Sequence, residues 1–234
     1  MKVSIIIPVF NEQNTISKII DLVKKSRLPK DFKKEIIVVD DASTDLTPGI
    51  LKKQRNIKLI THSYNQGKGA AIKTALNQAK GDIILIQDAD LEYSPSDYSK
   101  LLSPFISPPC QAVYGTRLAN YPLVLTGPNK TPLPIHWLTN HLLSALTRLL
   151  YGGSVSDMET CYKVVRTKLI KDFRLTANRF DFEPEITAKL LKRGVSIVEV
   201  PITVTPRTYS EGKKIGWRDG LSAIYTLFRY RFQD

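Results

Sequence analysis

The first ninety residues alternate between short apolar runs and segments with helical character. The apolar runs, each predicted as a buried strand, cover residues 3–9, 35–39, 57–60 and 82–86. Residues 13–25, 45–54 and 67–79 lie between them and have the apolar spacing or the small side chains of helices. Asp45 is a suitable N-cap for the second of these helices. This alternation predicts an α/β fold with a parallel, doubly wound sheet.

The pattern changes in the second half of the chain. Residues 112–115 predict a strand, residues 118–134 a proline-containing loop, and residues 135–151 a helix. Strands are predicted over residues 160–166 and 195–204, with a helix over 183–192 between them and a helix late in the basic, aromatic stretch 205–234. No repeat or linker is visible, so we expect a single domain over residues 1–234. Cys110 and Cys161 lack metal-binding spacing and indicate free thiols in a reducing compartment.

Three carboxylates follow the last of the four early strands. Asp88, Asp90 and Glu92 alternate with other residues in the run 87–92 (QDADLE). Hard divalent cations such as Mg²⁺ bind carboxylate oxygens and are often coordinated by phosphate oxygens at the same time. In open α/β sheets, ligands bind beyond the carboxyl ends of the strands. The run therefore predicts a metal ion and a phosphate-bearing ligand, although alone it also fits an acidic, solvated turn.

Two other strand ends carry polar motifs at the same predicted edge. Residues 8–12 (PVFNE) end the first strand, and residues 40–45 (DDASTD) end the second. Residues 65–69 (NQGKG) open a helix, whose N-terminus favours anions, and Lys68 is placed there to steady a phosphate or a carboxylate. Neither GxGxxG after the first strand nor GxxxxGK[ST] is present, which argues against a dinucleotide-dependent oxidoreductase and a P-loop nucleoside triphosphatase.

The chain has a formal net charge of +12, from 34 Lys and Arg against 22 Asp and Glu. Such a surplus suggests an anionic partner, although lysine-rich solvated helices would also produce it. No zinc finger, RNA-recognition motif or basic zipper is visible, so nucleic acid is not the expected partner. The apolar N-terminus is too short for a signal peptide, and no apolar run reaches the roughly 18 residues that span a bilayer.

The order and spacing of these motifs resemble inverting, family-two glycosyltransferases of the GT-A fold. More narrowly, they resemble the dolichol-phosphate mannose synthase and polyprenyl-phosphate glycosyltransferase branch. The matching segments are residues 8–12, 40–45, 65–69, 87–92 and 115–117 (GTR), and Arg207 with residues 212–214 (GKK). The resemblance implies a Rossmann-like, mostly parallel central sheet flanked by helices, with a small C-terminal extension. Residues 1–117 would bind the nucleotide-sugar and metal, and residues 118–234 would serve the acceptor and the membrane interface.

The resemblance also implies roles for single residues in binding the nucleotide-sugar. Asp40 matches the acid that contacts the base, and Phe10 stands where relatives often have tyrosine. Arg207 and Lys213 match basic residues that close over the phosphates. The full implied nucleotide-sugar set is Pro8, Phe10, Glu12, Asp40, Asp88, Ala89, Asp90, Arg207 and Lys213.

Metal binding and catalysis are implied for a smaller set. Asp88, Asp90 and Glu92 match the residues that lie at the Mg²⁺ or Mn²⁺ ion, and Asp90 is the expected direct ligand. Asp90 is therefore implied to be catalytic. Arg117 is the second implied catalytic residue, because it matches a basic residue expected near the acceptor phosphate.

The implied reaction moves a hexose from a nucleotide-sugar, such as GDP-mannose or UDP-glucose, to a polyprenyl or dolichyl phosphate. A phosphate monoester has a second pKa of about 6, so this acceptor needs no strong general base. A hydroxyl acceptor on a glycan would need one, and Asp157 and Glu159 are candidates for that role or for positioning the acceptor. A silent nucleotide-sugar-binding protein is a further alternative. A nucleotidyltransferase would have a Gly-rich, Arg-bearing loop after the first strand, which this chain lacks.

Apolar residues recur with helical spacing along residues 135–151. They fit either a core helix packed on the sheet or a helix lying in the membrane interface. Aromatic and cationic residues are mixed between Tyr225 and Phe232, which suits lipid headgroups. We therefore expect a peripheral protein on the cytoplasmic face of a membrane, without a transmembrane helix in this chain, bound directly or through a membrane-anchoring partner.

Overall fold

A computed structural model describes residues 1–107, 110–118, 123–124, 131, 134–207 and 216–233. Its strands are β1 (Lys2–Val9), β2 (Lys33–Asp40), β3 (Lys58–Thr61), β4 (Ile83–Ile86), β5 (Ala112–Thr116), β6 (Lys163–Arg166) and β7 (Ile197–Pro201). They form one sheet in the order β3-β2-β1-β4-β6-β5-β7. Only β6 is antiparallel to its neighbours, β4 and β5. The predicted mostly parallel α/β fold is confirmed.

Eight α-helices accompany the sheet in the described part of the chain. They are α1 (Ile16–Lys25), α2 (Thr47–Lys52), α3 (Lys68–Gln78), α4 (Tyr98–Leu102), α5 (Pro134–Tyr151), α6 (Thr167–Lys171), α7 (Phe182–Lys192) and α8 (Trp217–Phe232). The short helices α4 and α6 have no counterpart in the sequence prediction, because five residues give too little periodicity. None of the described helices is long and apolar enough to cross a membrane.

The core lies around the central strands. Ile5, Ile6 and Ile7 on β1 are fully buried although their side chains alternate between the two faces of the sheet. A strand buried on both faces is typical of a parallel sheet with helices packed on each side. The apolar stripe predicted for α1 is also fully buried at Ile16, Ile19, Ile20 and Val23.

Two helices begin later than their sequence patterns predict. Gln13 lies before α1 because its backbone N–H donates to Asp45 Oδ2 at 3.1 Å and its side-chain oxygen accepts from Leu46 N at 3.0 Å. Asp45 is not the N-cap of α2, since Leu46 holds that position, but its Oδ1 accepts from Thr47 N at 2.9 Å. Both residues therefore tie the β1–α1 loop to the β2–α2 loop.

The sheet order reverses between β1 and β4, since β2 and β3 lie on one side and β6, β5 and β7 on the other. Ligands of open α/β sheets bind at such a switch point, beyond the carboxyl ends of the strands. The chain after β7 returns to this place. Tyr93 and Val204 form an antiparallel bridge, and Thr205 N donates to Glu92 O at 2.9 Å. This contact brings Arg207 to the end of β4.

Candidate active site

A cavity of about 620 Å³ lies at the carboxyl ends of β1 and β4. Most of the residues that the sequence singles out line it together. They are Pro8, Phe10, Glu12, Lys68, Asp88, Ala89, Asp90, Glu92, Arg117, Glu159 and Arg207. Lys213 lies outside the described residues. The structure thus brings together side chains that are up to about two hundred positions apart in the chain.

The acidic cluster surrounds the guanidinium of Arg207. Its Nη2 lies 3.1 Å from Asp90 Oδ2, its Nη1 lies 3.4 Å from Glu12 Oε2, and its Nε lies 3.6 Å from Glu92 Oε1. Burial, and then the charges of Asp88 and Glu92, raise the pKa of Asp90 to about 7, against the opposing charge of Arg207. Burial and the neighbouring carboxylates therefore both disfavour the ionised form of Asp90.

The backbone after β4 fixes the direction of these carboxylates. Leu91 has a φ of +66°, in the left-handed region that non-glycine residues rarely occupy. Glu92 N donates to Asp90 Oδ1 at 3.0 Å across this bend. Residues held in such conformations cluster at functional sites, where the surrounding structure maintains the strain.

Asp88, the first carboxylate of the cluster, is held by Lys68. The Lys68 ammonium lies 2.9 Å from Asp88 Oδ1 and 2.8 Å from Glu183 Oε1 on α7. Burial alone would lower the pKa of Lys68, but the charge of Asp88, with those of Cys161 and Glu183, raises it well above its usual value. Lys68 thus steadies a carboxylate, one of the two roles predicted for it.

Arg117 is paired rather than free at the cavity wall. Its Nε and Nη2 donate to the two carboxylate oxygens of Asp157 at 2.8 and 2.7 Å, and its backbone N–H donates to Asp157 Oδ2. Asp157 is fully buried. This bidentate pair fixes the guanidinium in position and occupies the Asp157 carboxylate, so Asp157 lacks the freedom of a general base.

The two aspartates at the end of β2, Asp40 and Asp41, have different surroundings. Asp41 lines the cavity, and its carboxylate accepts from Gln66 N at 2.9 Å and Gly67 N at 2.7 Å, which holds the 65–69 loop in place. Asp40 is buried, accepts from Ser43 N at 3.1 Å, and is not among the described residues that line the cavity. The first carboxylate of this motif therefore lies behind the cavity wall.

Glu159 contributes a further carboxylate to the cavity lining. Its Oε1 is buried and, among the described residues, has no hydrogen-bond partner. Burial, and then the charge of Glu183, raise the pKa of Glu159 to about 7, although Lys163 and Arg117 oppose this shift. A carboxyl group with this pKa in a cavity is a candidate for hydrogen bonding to a ligand or for accepting a proton from it.

Arg179, which precedes α7, is a further cation that lines the cavity. Lys68, Arg117 and Arg207 are each paired with carboxylates, whereas the Arg179 side chain is exposed and makes no ion pair within the described ranges. Arg179, Asp41 and Glu183 were not among the site residues predicted from the sequence. Asp41 belongs to a selected motif, but Arg179 and Glu183 carry no local signal and reach the cavity only through long-range packing.

The residues around Asp90 fit a divalent cation. Asp90 Oδ2 and Glu92 Oε1 lie 3.1 and 3.6 Å from the same guanidinium, that of Arg207, so both carboxylates reach one small region. No group of three histidine, cysteine or acidic residues in the described part of the chain is arranged to hold a metal ion, and Asp88 is paired with Lys68. Mg²⁺ usually keeps water and phosphate ligands besides one or two carboxylates, so Asp90 and Glu92 suffice.

The fold is similar to that of known nucleotide-sugar enzymes. Glucosyl-3-phosphoglycerate synthase from Mycobacterium tuberculosis, crystallised with Mn²⁺, UDP and glucosyl-3-phosphoglycerate, aligns with a TM-score of 0.73 over 98% of this chain and 79% of its own. The sequences are 20% identical, so this likeness concerns the fold. It confirms the GT-A architecture.

The chain is also similar in sequence to characterised glycosyltransferases and to a family model. The chain is 28% identical to the UDP-N-acetylglucosamine–dolichyl-phosphate N-acetylglucosaminyltransferase of Methanococcus voltae, over 95% of this chain and 93% of that protein. It is 25% identical to the undecaprenyl-phosphate 4-deoxy-4-formamido-L-arabinose transferase of Proteus mirabilis, over 91% of this chain and 62% of that protein. The model of glycosyl transferase family 2 matches residues 4–174. The chain is therefore a glycosyltransferase and belongs to glycosyl transferase family 2.

Proposed function

We propose that this enzyme transfers a hexose, with inversion, from a nucleotide-sugar of the GDP-mannose or UDP-glucose type to a polyprenyl or dolichyl phosphate. The observation that carries the proposal is the meeting of Asp90, Glu92 and Arg207 in one cavity at the switch point of the sheet. The relatives named above act on dolichyl and undecaprenyl phosphates and support the same acceptor class.

The donor diphosphate would occupy the region of the acidic cluster. Asp90 and Glu92 would hold Mg²⁺ or Mn²⁺, which stabilises the charge that develops on a departing diphosphate. Arg207 would then exchange its carboxylate partners for phosphate oxygens. Pro8, Phe10 and Glu12 would line the nucleotide pocket, and Asp40 would influence the base from behind the wall. Lys213 is proposed as a second phosphate ligand on sequence grounds alone.

The transfer breaks the bond between the anomeric carbon and the diphosphate oxygen and forms a bond to an acceptor phosphate oxygen. The products are a nucleoside diphosphate and a polyprenyl phosphohexose. The acceptor phosphate is anionic near neutral pH and needs no base, but it must approach a carboxylate-rich site. Arg117, held by Asp157, and the exposed Arg179 would supply the positive charge for that approach.

The two parts of the chain would have different roles, and the proposed acceptor implies a location in the cell. Residues 1–117 contribute most of the donor and metal site, and residues 118–234 contribute Glu159, Arg179 and the amphipathic helices of the acceptor side. We propose that the protein acts peripherally at the cytoplasmic face of a membrane, where its acceptor lies.

One extraction assay tests the reaction. The purified protein is incubated with radiolabelled GDP-mannose or UDP-glucose, Mn²⁺ and polyprenyl phosphate, and the products are extracted into organic solvent. We expect label in the organic phase that disappears with EDTA and with Asp90→Ala. Glu35→Ala, which removes a carboxylate remote from the cavity, is a control for the general effect of losing an acidic residue. Nucleotide-sugar binding without turnover on any acceptor would refute the proposal.

A hydroxyl acceptor is the second candidate. Glu159 favours it, because a carboxyl group with a pKa near 7 that lines the cavity suits a general base. Label confined to a water-soluble glycan product, and lost with Glu159→Gln, would support this alternative over the lipid acceptor.

A further inference from the structure

Two neighbouring helices, α5 and α8, expose large apolar side chains to solvent. On α5 these side chains are Ile135, Leu138, Leu142 and Leu149, which are 78, 52, 61 and 82% exposed. Their spacing of three, four and seven residues places them on one stripe of the helix. Leu143, Ser144 and Thr147 are buried on the other side, so the stripe points away from the protein body.

Helix α8 also has an exposed apolar stripe, and this one includes aromatic side chains. Leu221, Ile224, Tyr225, Phe228 and Phe232 are between 38 and 79% exposed and recur at helical spacing. Ala223, Thr226, Leu227 and Tyr230 are buried on the opposite face. An amphipathic helix whose apolar stripe faces outward is unusual on a water-soluble surface and marks an interaction site.

The two helices pack against each other along their length. Tyr151 Oη at the end of α5 donates to Leu227 O on α8 at 2.5 Å, and a Cβ at Gly220 would lie 3.7 Å from Thr139 Cγ2. The nine exposed side chains therefore lie on adjacent helices, and we call them the α5–α8 surface. The core-helix interpretation of residues 135–151 holds for Leu143 and for the half-buried Leu146 and Leu150, but not for this stripe.

The charges around this surface are almost all positive. Arg229 and Arg231 lie on either side of the apolar stripe of α8, and α5 contains no Asp or Glu. The acidic residue of α8, Asp219, accepts from Gly216 N at 2.8 Å at the beginning of its own helix. A surface of aliphatic and aromatic side chains bordered by arginines matches the acyl chains and anionic headgroups of a lipid bilayer.

We propose that the α5–α8 surface docks this protein onto a bilayer that contains anionic lipid. A second copy of the chain fits less well, because a two-fold interface would bring the same arginines of both copies together. Arg218 and Asp219 in the first turn of α8 also line the cavity. Docking through α8 would therefore bring the cavity to the headgroup region, where the phosphate of a polyprenyl lipid lies. The proposal rests on the proposed function for this last consequence only.

Vesicle binding of the full chain tests the docking directly. Co-sedimentation is measured with vesicles of equal parts phosphatidylcholine and phosphatidylglycerol, and with phosphatidylcholine alone. We expect the double variant Leu142→Glu/Tyr225→Glu to bind the mixed vesicles at least about tenfold more weakly than wild type. Ile106→Glu, a matched control that is 57% exposed outside this surface, should bind like wild type. Thermal melting checks that all three proteins remain folded.

The electrostatic part has its own variant. Arg229→Gln/Arg231→Gln should weaken binding to the mixed vesicles and reduce its dependence on salt, whereas Arg27→Gln should change neither. The docking proposal would be overturned if wild type bound neither kind of vesicle, or if Leu142→Glu/Tyr225→Glu bound the mixed vesicles as strongly as wild type. A wild-type dimer that Leu142→Glu/Tyr225→Glu dissociates, without vesicle binding, would assign the surface to a second copy instead.

Transfer assays separate this proposal from the proposed function. With polyprenyl phosphate in detergent, Leu142→Glu/Tyr225→Glu should transfer hexose at the wild-type rate, since the cavity is unchanged. With the same acceptor embedded in mixed vesicles, its rate should fall in proportion to its loss of binding. Wild type that binds vesicles but transfers nothing in either format would overturn the proposed function and leave the docking surface in place.

Discussion

Arg179 is exposed at the cavity wall, while the paired cations around it are held by carboxylates. We expect Arg179→Gln to lower kcat/KM by about 10- to 100-fold, because a charged hydrogen bond to phosphate contributes roughly 1.5–3 kcal/mol. Separate titrations of donor and acceptor will show which KM rises. Arg27→Gln, on an exposed surface before β2, is the matched control. Unchanged KM values for both substrates would remove Arg179 from the binding site.

Glu159 makes the stability of the fold depend on pH. Its pKa is raised to about 7, so the folded protein holds a proton there that the unfolded chain has already lost, and stability falls as pH rises from about 5 to 7. Glu159→Gln removes this penalty. Its gain in unfolding free energy over wild type should therefore grow across this range, by on the order of 1–3 kcal/mol. Urea unfolding at several pH values measures it.

Glu185 provides the control of opposite sign. Burial opposes its ionisation, but hydrogen bonds from Lys189 and from the Thr176 backbone outweigh burial and lower its pKa. The stability it contributes is present above the unfolded pKa and is lost as pH falls through the folded one. Glu185→Gln should therefore be most destabilising near neutral pH. Parallel pH profiles for the two variants would contradict both assignments.

At the scale of single residues, the predictable site residues are those that belong to a recognisable local motif. Asp90, Glu12 and Phe10 stand directly after predicted strands, so their meeting at one edge follows from the parallel sheet. Such reasoning did not separate Asp40 from Asp41, because one residue decides which carboxylate faces the cavity and which faces the protein. The contact between Lys68 and Glu183 spans more than a hundred residues, so spacing alone could not reveal it.

At the scale of elements, the beginning of α3 packs closely against the segment that precedes α7. A Cβ at Gly69 would lie 2.7 Å from Ala177 O, and Ala70 N donates to Asn178 O at 3.0 Å. Gly69→Ala should lower the free energy of unfolding by about 1–3 kcal/mol, because backbone atoms must move apart. Gly49→Ala in α2 is the matched control. It meets nothing within 4 Å and should be neutral or gain up to about 1 kcal/mol. Equal melting temperatures for the two variants would show that α3 is not packed so closely.

The elements themselves were mostly predictable, and the exceptions have physical reasons. The four early strands and α7 agree with their patterns because apolar runs that alternate with helical periodicity leave few alternatives. The reversed direction of β6 was not predicted, since its sequence is as apolar as that of a parallel strand. The orientation of α5 stayed open because Leu138 and Leu142 have the same hydropathy whether they face a core or a membrane.

At the scale of the whole molecule, the positive net charge contrasts with the many carboxylates that line the candidate active site. The net charge is +12, while Glu12, Asp88, Asp90, Glu92, Glu159 and Glu183 all line the cavity. Anionic ligands are therefore attracted to the protein from a distance, but near the cavity they meet carboxylates. A phosphate-bearing substrate needs a cation to enter, and this is the electrostatic reason to expect that metal and nucleotide bind together.

This coupling predicts how ligands shift the melting temperature of the whole chain. Mn²⁺ with UDP or GDP, at a hundred times the dissociation constant, should stabilise the fold by about 2.7 kcal/mol, which raises Tm by roughly 5–11 °C. Either ligand alone should raise Tm less than the pair, and EDTA should reverse the effect.

Arg207→Gln should melt lower than wild type in EDTA, because Glu12, Asp90 and Glu92 lose their shared cation. The same variant should respond more strongly to Mn²⁺ alone, since Arg207 no longer competes with the metal, and gain less from added nucleotide. If Mn²⁺ and nucleotide shift the wild-type Tm independently and additively, the cluster around Arg207 is not where they bind.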